Sequence, residues 1–150
     1  MDTDNLKGIF NRKVEDELLK DILPFWIKYD VDNEFGGFYG EITNELEIHK
    51  KAPKGSILCS RILWAYSASY IKFKDKKYLK IANRAYEYII NNFWDKEYLG
   101  VYWMVDYKGN PIATRKQIYA EAFAIYALTE YYKATKEEDA LKKAKKKFMN

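Results

Sequence analysis

Two kinds of hydrophobic pattern alternate along the chain. Nearly every position is apolar in the segments from about 56 to 71 and from about 116 to 132, and helices of this kind are usually buried on most sides. The segments from about 75 to 93 and from about 136 onward carry a single apolar stripe, with lysine-rich polar positions opposite it. The pattern therefore predicts two buried helices, each followed by a half-exposed one, with Asp75 as the cap of the first exposed helix.

The N-terminal segment predicts a further helix. It should begin after Asp2 to Asp4, where Asp or Thr can act as the cap, and its apolar positions recur at helical spacing up to Ile22. Because Pro24 has no backbone donor, we expect it to kink this helix or to end it before Trp26.

The segments between helices are strand-like and rich in turn residues. Phe38–Ile42 should form a strand, and Leu46–His49 should pair back onto it. Gly100–Val105 is a second predicted strand, and the residues from Lys108 to Pro111 should form a turn. We therefore expect short β-hairpins in the connections of an otherwise helical chain.

The alternation is an internal repeat. Gly37-Phe38-Tyr39 returns as Gly100-Val101-Tyr102, and Leu79 returns as Leu141 after nearly the same interval. Repeats of this size indicate an array whose single units cannot bury their own faces. Buried helices alternating with two-faced helices predict two concentric rings, an all-α (α/α) toroid. Six such units would total about 370 residues, so residues 1–150 are expected to be the N-terminal portion of one domain, with about two and a half repeats.

Composition excludes several classes of protein. The net charge of +4 is modest, and no basic stripe coincides with a nucleic-acid-binding motif. No run of about 18 apolar residues is present, which predicts a cytoplasmic protein without a membrane span. Cys59 is the single cysteine, so no internal disulfide can form, and its apolar surroundings predict a buried thiol. His49 is the single histidine and is predicted to lie on the surface.

Several short segments resemble the N-acylglucosamine 2-epimerase family, in particular its cellobiose 2-epimerase branch. These segments are Ile22–Trp26, Gly36–Gly40, Ala52–Gly55, Ser60–Trp64, Phe93–Asp95, Gly100–Trp103 and Gln117–Tyr119. Each is short and aromatic-rich, but together, in this order and spacing, they cover nearly the whole chain. The resemblance implies an (α/α)6 barrel.

The resemblance also implies an activity. Family members epimerise carbon 2 of a reducing-end hexose without a cofactor, so a disaccharide such as cellobiose is the expected ligand. Two proton carriers on opposite faces of an enediolate are needed, with a cation or donors at its oxygen. In the family, histidines carry the protons. This chain has only His49, so whether it is an enzyme by itself is left open, and we expect the isolated chain to be inactive.

The resemblance assigns roles to individual residues. Arg61 matches the arginine that holds the oxygen, with a salt bridge across the barrel as the alternative for a charge in an apolar helix. Tyr119 matches a pocket tyrosine, and Phe123 follows one turn later on the same face, with packing in the core as the alternative for both rings. Trp64 and Trp103 could stack on a sugar or pack in the core. No metal site is expected.

Other interpretations remain at this stage. Glu121 stands where we expect glutamine, and it is a possible partner for Arg61. A glycosidase of the same toroidal fold would need two carboxyl groups, of which only Glu121 can be placed on a buried helix. A non-catalytic helical-repeat interaction module is the third possibility. An open arc of repeats should also expose apolar helix faces and so self-associate.

Overall fold

The computed structural model describes residues 3–148, apart from the side chains of Thr3, Asp4 and Leu6. The chain divides into two compact units, Met1–Val31 and Asp32–Asn150. In the first unit a helix α1 (Thr3–Glu17) leads through a π-helical turn (Leu18–Ile22) into α2 (Leu23–Tyr29). The predicted capping side chains of Asp2 to Asp4 lie outside the described residues.

Of the two effects predicted for Pro24, an end of the helix before Trp26 is wrong, because α2 continues to Tyr29, and the kink stays a prediction. The irregularity comes earlier, as the π-helical turn directly before α2. A π turn inserts one extra residue into the helix and shifts its hydrogen bonds. Pro24 then lies in the first turn of α2, where the missing donor costs little.

The second unit contains the repeats. Its elements in chain order are β1 (Lys54–Gly55), α3 (Ser56–Phe73), α4 (Lys76–Tyr88), a π-helical turn (Ile89–Phe93), β2 (Met104–Val105), β3 (Pro111–Ala113), α5 (Ile118–Thr135) and α6 (Glu138–Phe148). The predicted cap is confirmed, since the Asp75 side chain accepts a hydrogen bond from the Lys77 amide at 2.9 Å. The four helices occur in the predicted order.

The strands are shorter than predicted. β1, β2 and β3 form an antiparallel sheet in that order, with Lys54 opposite Val105 and a register shift at β2. The predicted strand Gly100–Val105 is wrong in its first half, because Leu99 and Gly100 take left-handed backbone conformations and Val101 makes a single bridge with Trp94. These conformations turn the chain before a ladder can begin.

The first predicted hairpin is also reduced. Within it, Ile42 and Ile48 pair as an isolated bridge, around a turn in which Leu46 has a positive φ. The predicted return of Leu46–His49 is correct, since the His49 amide donates to the Glu41 carbonyl at 3.1 Å. The segment is thus a tight turn rather than a pair of strands.

The backbone repeats with the spacing found in the sequence. Lys74 and Lys136 are equivalent positions of the repeat. Each lies in the left-handed conformation at the end of one of the two inner helices, α3 and α5. Their amides donate to the Tyr70 carbonyl at 2.9 Å and to the Tyr132 carbonyl at 2.8 Å. A left-handed residue at this point satisfies the last carbonyls of a helix. The predicted repeat is therefore also a repeat of the structure.

Packing distinguishes the inner helices from the outer ones. α3 packs against α4 and α5, and α5 packs against α6, around a core that includes Leu63, Phe93 and Leu128. α5 nevertheless leaves apolar side chains in solvent, with Ile118 89% exposed and Tyr126 50% exposed. Among the helices described between residues 3 and 148, none is both long and apolar enough to cross a membrane.

Candidate functional site

The two inner helices run side by side in register. Trp64 on α3 and Tyr126 on α5 are separated by one full repeat and therefore occupy equivalent positions in it. Their rings stack with centroids 5.0 Å apart and an interplanar angle of 13°. Arg61 and Phe123 are also equivalent, and each lies three residues before one of these rings. Arg61 and Phe123 consequently project from the same side of the two helices.

Arg61 lies in solvent on this side of α3. Within residues 3–148 it makes no hydrogen bond or ion pair, so the salt bridge considered from the sequence has no partner there. Its five donors are free to bind a ligand oxygen. The proposed role of Arg61 stays a prediction, and its exposure makes it possible.

Tyr119 and Phe123 form an aromatic pair at the head of α5. Their centroids are 4.9 Å apart, and the rings meet edge to face at 76°. Phe123 is half-buried, whereas Tyr119 is 61% exposed. An exposed aromatic ring with a hydroxyl group can both stack on a sugar and hydrogen-bond to it. The pair is thus a candidate sugar-binding surface one turn long.

The two tryptophans are placed differently. Trp64 is half-buried, and one of its faces is covered by Tyr126. Trp103 lies at the start of α3, where its carbonyl accepts from both the amide and the hydroxyl group of Ser56 at 3.2 Å. Its ring faces the Arg115 guanidinium at 5.6 Å. Trp64 therefore adjoins the Arg61 side of the helices, while Trp103 belongs to the sheet.

Tyr126 is a candidate that the sequence analysis missed. It is half exposed and stacks on Trp64, on the helix face that carries Tyr119 and Phe123. The signal was available in the internal repeat, which relates Tyr126 to Trp64.

Glu121 is not the partner of Arg61. It is 6% exposed, and its Oε1 accepts from the Val101 amide at 3.1 Å and lies 3.8 Å from Lys147 Nζ. Positions two apart on a helix point in nearly opposite directions, so Glu121 faces away from the Phe123 side. Burial raises the pKa of Glu121, and the Val101 amide and Lys147 only partly offset that effect.

An ion pair between an aspartate and a lysine precedes each inner helix. Asp32 Oδ2 lies 2.6 Å from Lys54 Nζ, and Asp95 Oδ2 lies 2.8 Å from Lys116 Nζ. Burial alone would raise the pKa of Asp32, but the Lys54 ammonium and two backbone amides outweigh it and lower this pKa. The pKa of Asp95 is lowered chiefly by Lys116. Pairs between residues so far apart along the chain leave no local signal in the sequence.

The predictions for histidine and cysteine are confirmed. His49 is exposed, with Nδ1 3.1 Å from a Glu41 carboxylate oxygen. Cys59 is 4% exposed, and its thiol donates to the Ala85 carbonyl at 3.7 Å. In the described part of the chain no three His, Cys, Asp or Glu side chains are grouped closely enough to hold a metal ion.

Helices that are apolar on nearly all sides alternate with two-faced ones and define a helical-repeat protein of the α/α-toroid class, with an arginine and aromatic residues on one exposed side. The sequence model of N-acylglucosamine 2-epimerase matches residues 37–149. The chain belongs to this family.

Individual relatives are cellobiose 2-epimerases. The chain is 48% identical over 133 residues to the enzyme of Bacteroides fragilis. The matched region covers 89% of this chain and 34% of that protein. It is 50% identical over 129 residues to the enzyme of Ruminococcus albus, covering 86% and 33% of the two chains. The chain thus spans about a third of the length of the curated relatives it matches.

A solved structure confirms the fold class. The cellobiose 2-epimerase of Bacillus thermoamylovorans superposes with a TM-score of 0.91 at 47% identity, over 95% of this chain and 36% of that one. The predicted all-α architecture, made of helical repeats of the (α/α)6-barrel class, is therefore correct.

Proposed function

We propose that this chain supplies part of the sugar site of a carbohydrate 2-epimerase. The substrate would be a disaccharide such as cellobiose, whose reducing-end glucose is converted to mannose. The observation that carries the proposal is the common side of α3 and α5, where Arg61 and the Tyr119–Phe123 pair lie on in-register helices. The identity of 48% to a cellobiose 2-epimerase supports the same assignment.

Arg61 has the chemistry that epimerisation needs at the substrate oxygen. After the sugar ring opens, a base removes the proton at carbon 2, and negative charge collects on the former aldehyde oxygen. A guanidinium group stays protonated at any relevant pH and can hold that oxygen with two parallel donors. Donors placed where charge develops lower the barrier by about 3–4 kcal/mol each. Arg61 would thus stabilise the enediolate, while Tyr119 binds a neighbouring hydroxyl group.

The proton carriers must come from elsewhere. Each transfer at carbon 2 needs a group that titrates near neutral pH. His49 pairs with Glu41 in an exposed turn, and neither Arg61 nor Tyr119 is a good base at pH 7. We therefore propose that residues 1–150 form the N-terminal portion of a single epimerase domain, with about two and a half of six repeats, and are inactive alone.

The experiment compares the 150-residue chain with a protein that also carries whatever sequence follows these residues in the gene. Each is incubated with cellobiose, and the products are separated by chromatography. The longer protein should form glucosyl-mannose, and Arg61→Ala should lower kcat about 100- to 1000-fold. Lys145→Met, at an exposed position of α6, is the matched control and should change nothing. Formation of glucosyl-mannose by the shorter chain would show that the catalytic groups are misplaced.

A further inference from the structure

The two Asp–Lys pairs are equivalent interactions in successive repeats. Asp32 corresponds to Asp95 in the repeat, and Lys54 corresponds to Lys116. In both pairs, Oδ1 of the aspartate accepts from the amides two and three residues later, and Oδ2 meets the lysine. Each aspartate therefore stabilises the turn that follows it through two backbone amides. Its ion pair with the lysine links this turn to the segment just before an inner helix.

The second pair acts on the head of α5. Lys116 lies two residues before Ile118, the first residue of that helix. Glu121 fastens the helix to the same turn from the other side, through its hydrogen bond to the Val101 amide at 3.1 Å. Tyr119 stands between these two anchored positions. Its own side chain is 61% exposed, and among the aromatic rings of the described residues it contacts that of Phe123. The position of Tyr119 therefore depends on the backbone that Lys116 and Glu121 hold.

The first pair is more firmly enclosed than the second. The Lys54 side chain is 4% exposed and also donates to the Gly36 carbonyl at 2.7 Å, and Arg84 binds the Gly37 and Asp32 carbonyls. In the second pair the Lys116 side chain is 27% exposed, and its further neighbour is the Tyr102 ring at 4.4 Å. The lysine of the second pair is thus less enclosed than that of the first, although the Asp95 side chain is itself only 7% exposed.

We propose that Lys116 and Asp95 are positioning residues that act on a bound sugar through Tyr119. The inference rests on the proposed function, because it assumes that Tyr119 contacts the substrate. The pair holds the first turn of α5 so that the Tyr119 hydroxyl group meets a sugar hydroxyl, and neither Lys116 nor Asp95 touches the sugar. Binding of the sugar then depends on the ion pair between Lys116 and Asp95, although this pair lies away from the sugar.

A mutant cycle tests the proposal in the complete gene product, with cellobiose as substrate. Lys116→Met should raise KM about three- to tenfold, about 0.7 to 1.4 kcal/mol at 1.4 kcal/mol per tenfold, with kcat changed less than about twofold. Lys116→Arg, which keeps the ion pair, should restore KM. In the Tyr119→Phe background Lys116→Met should have no further effect, because coupled residues are not additive. Lys145→Met should leave both parameters unchanged.

Two results would overturn the positioning role. One is that Lys116→Met raises KM by the same factor in the parent protein and in the Tyr119→Phe variant, which lacks the hydroxyl group. The other is no change of KM in Lys116→Met while Tyr119→Phe itself raises KM. A general loss of structure is recognised separately by comparing the melting temperature of Lys116→Met with that of Lys116→Arg, because removing the lysine leaves the buried Asp95 carboxylate without its counter-ion.

A second readout needs no substrate. With 3-fluorotyrosine placed at position 119, the fluorine resonance should shift or broaden in Lys116→Met and Asp95→Asn and return to its original position in Lys116→Arg. An unchanged resonance in Lys116→Met would overturn the inference. If the complete protein converted no sugar, the proposed function would fail, and the fluorine resonance would still decide whether the pair positions Tyr119.

Discussion

Replacing Glu121 by glutamine should stabilise the protein at neutral pH. The carboxylate is buried, one oxygen accepts from the Val101 amide, and Oε2 is buried without a hydrogen-bond partner among residues 3–148. Glutamine has nearly the same shape and can still accept from Val101, but it carries no charge. An unpaired buried charge costs more than an unpaired buried amide.

The size of the effect follows from two opposing contributions. The variant loses the attraction of Lys147, whose ammonium lies 3.8 Å from Oε1 and outside normal hydrogen-bond distance. It gains the free energy that keeping a carboxylate out of water costs. We expect the second contribution to be larger, because the pKa of Glu121 is raised despite Lys147. The net gain should be about 1 kcal/mol, or about 2–4 °C in melting temperature for a domain of this size.

The gain must depend on pH in a defined direction. Because the pKa of Glu121 is raised in the folded state, the folded protein binds this proton more tightly than the unfolded chain does. The resulting stabilisation is complete below the unfolded value of 4.5 and is lost as the pH rises through the folded pKa. Glutamine does not titrate, so the advantage of the variant should grow from near zero in acid to its full size at neutral pH.

Urea unfolding of both proteins at several pH values measures this difference. Glu87→Gln, at an exposed position of α4, is the control and should show a much smaller pH-dependent difference. A variant that is less stable than the parent at neutral pH would refute the reasoning. So would a difference in the free energy of unfolding that is constant between pH 4 and pH 8.

Two further predictions concern packing. Gly37→Ala should destabilise the protein by roughly 2–3 kcal/mol in urea unfolding, because a Cβ would lie 2.7 Å from the Tyr88 ring at a φ of +64°; Gly55→Ala, with open space around the added carbon, should cost far less. The isolated chain should self-associate through the apolar side of α5, where Ile118 is 89% exposed, and Ile118→Lys should shift it toward monomer in sedimentation velocity. A monomeric parent chain at high concentration would contradict the second prediction.

The sequence by itself determined the helices, their order and their repeat. Hydrophobic periodicity is a local property, so an inner helix such as α3, predicted at 56–71 and observed at Ser56–Phe73, can be recognised from its own residues. The Asp75 cap is equally local. The family resemblance then connected Arg61 and Tyr119, which lie on helices that the sequence could identify but could not orient.

Only the tertiary structure decided which side chains meet. The π-helical turn before Pro24 and the short strand β2 depend on backbone shifts that residue preferences do not encode. Glu121 and its partners, like Asp95 and Lys116, are distant along the chain, and such contacts exist only after the helices have packed. Packing also decides which side chains are buried. Burial raises the pKa of Glu121, whereas Arg61 remains in solvent. A linear pattern contains neither the distances nor the exclusion of water that produce these effects.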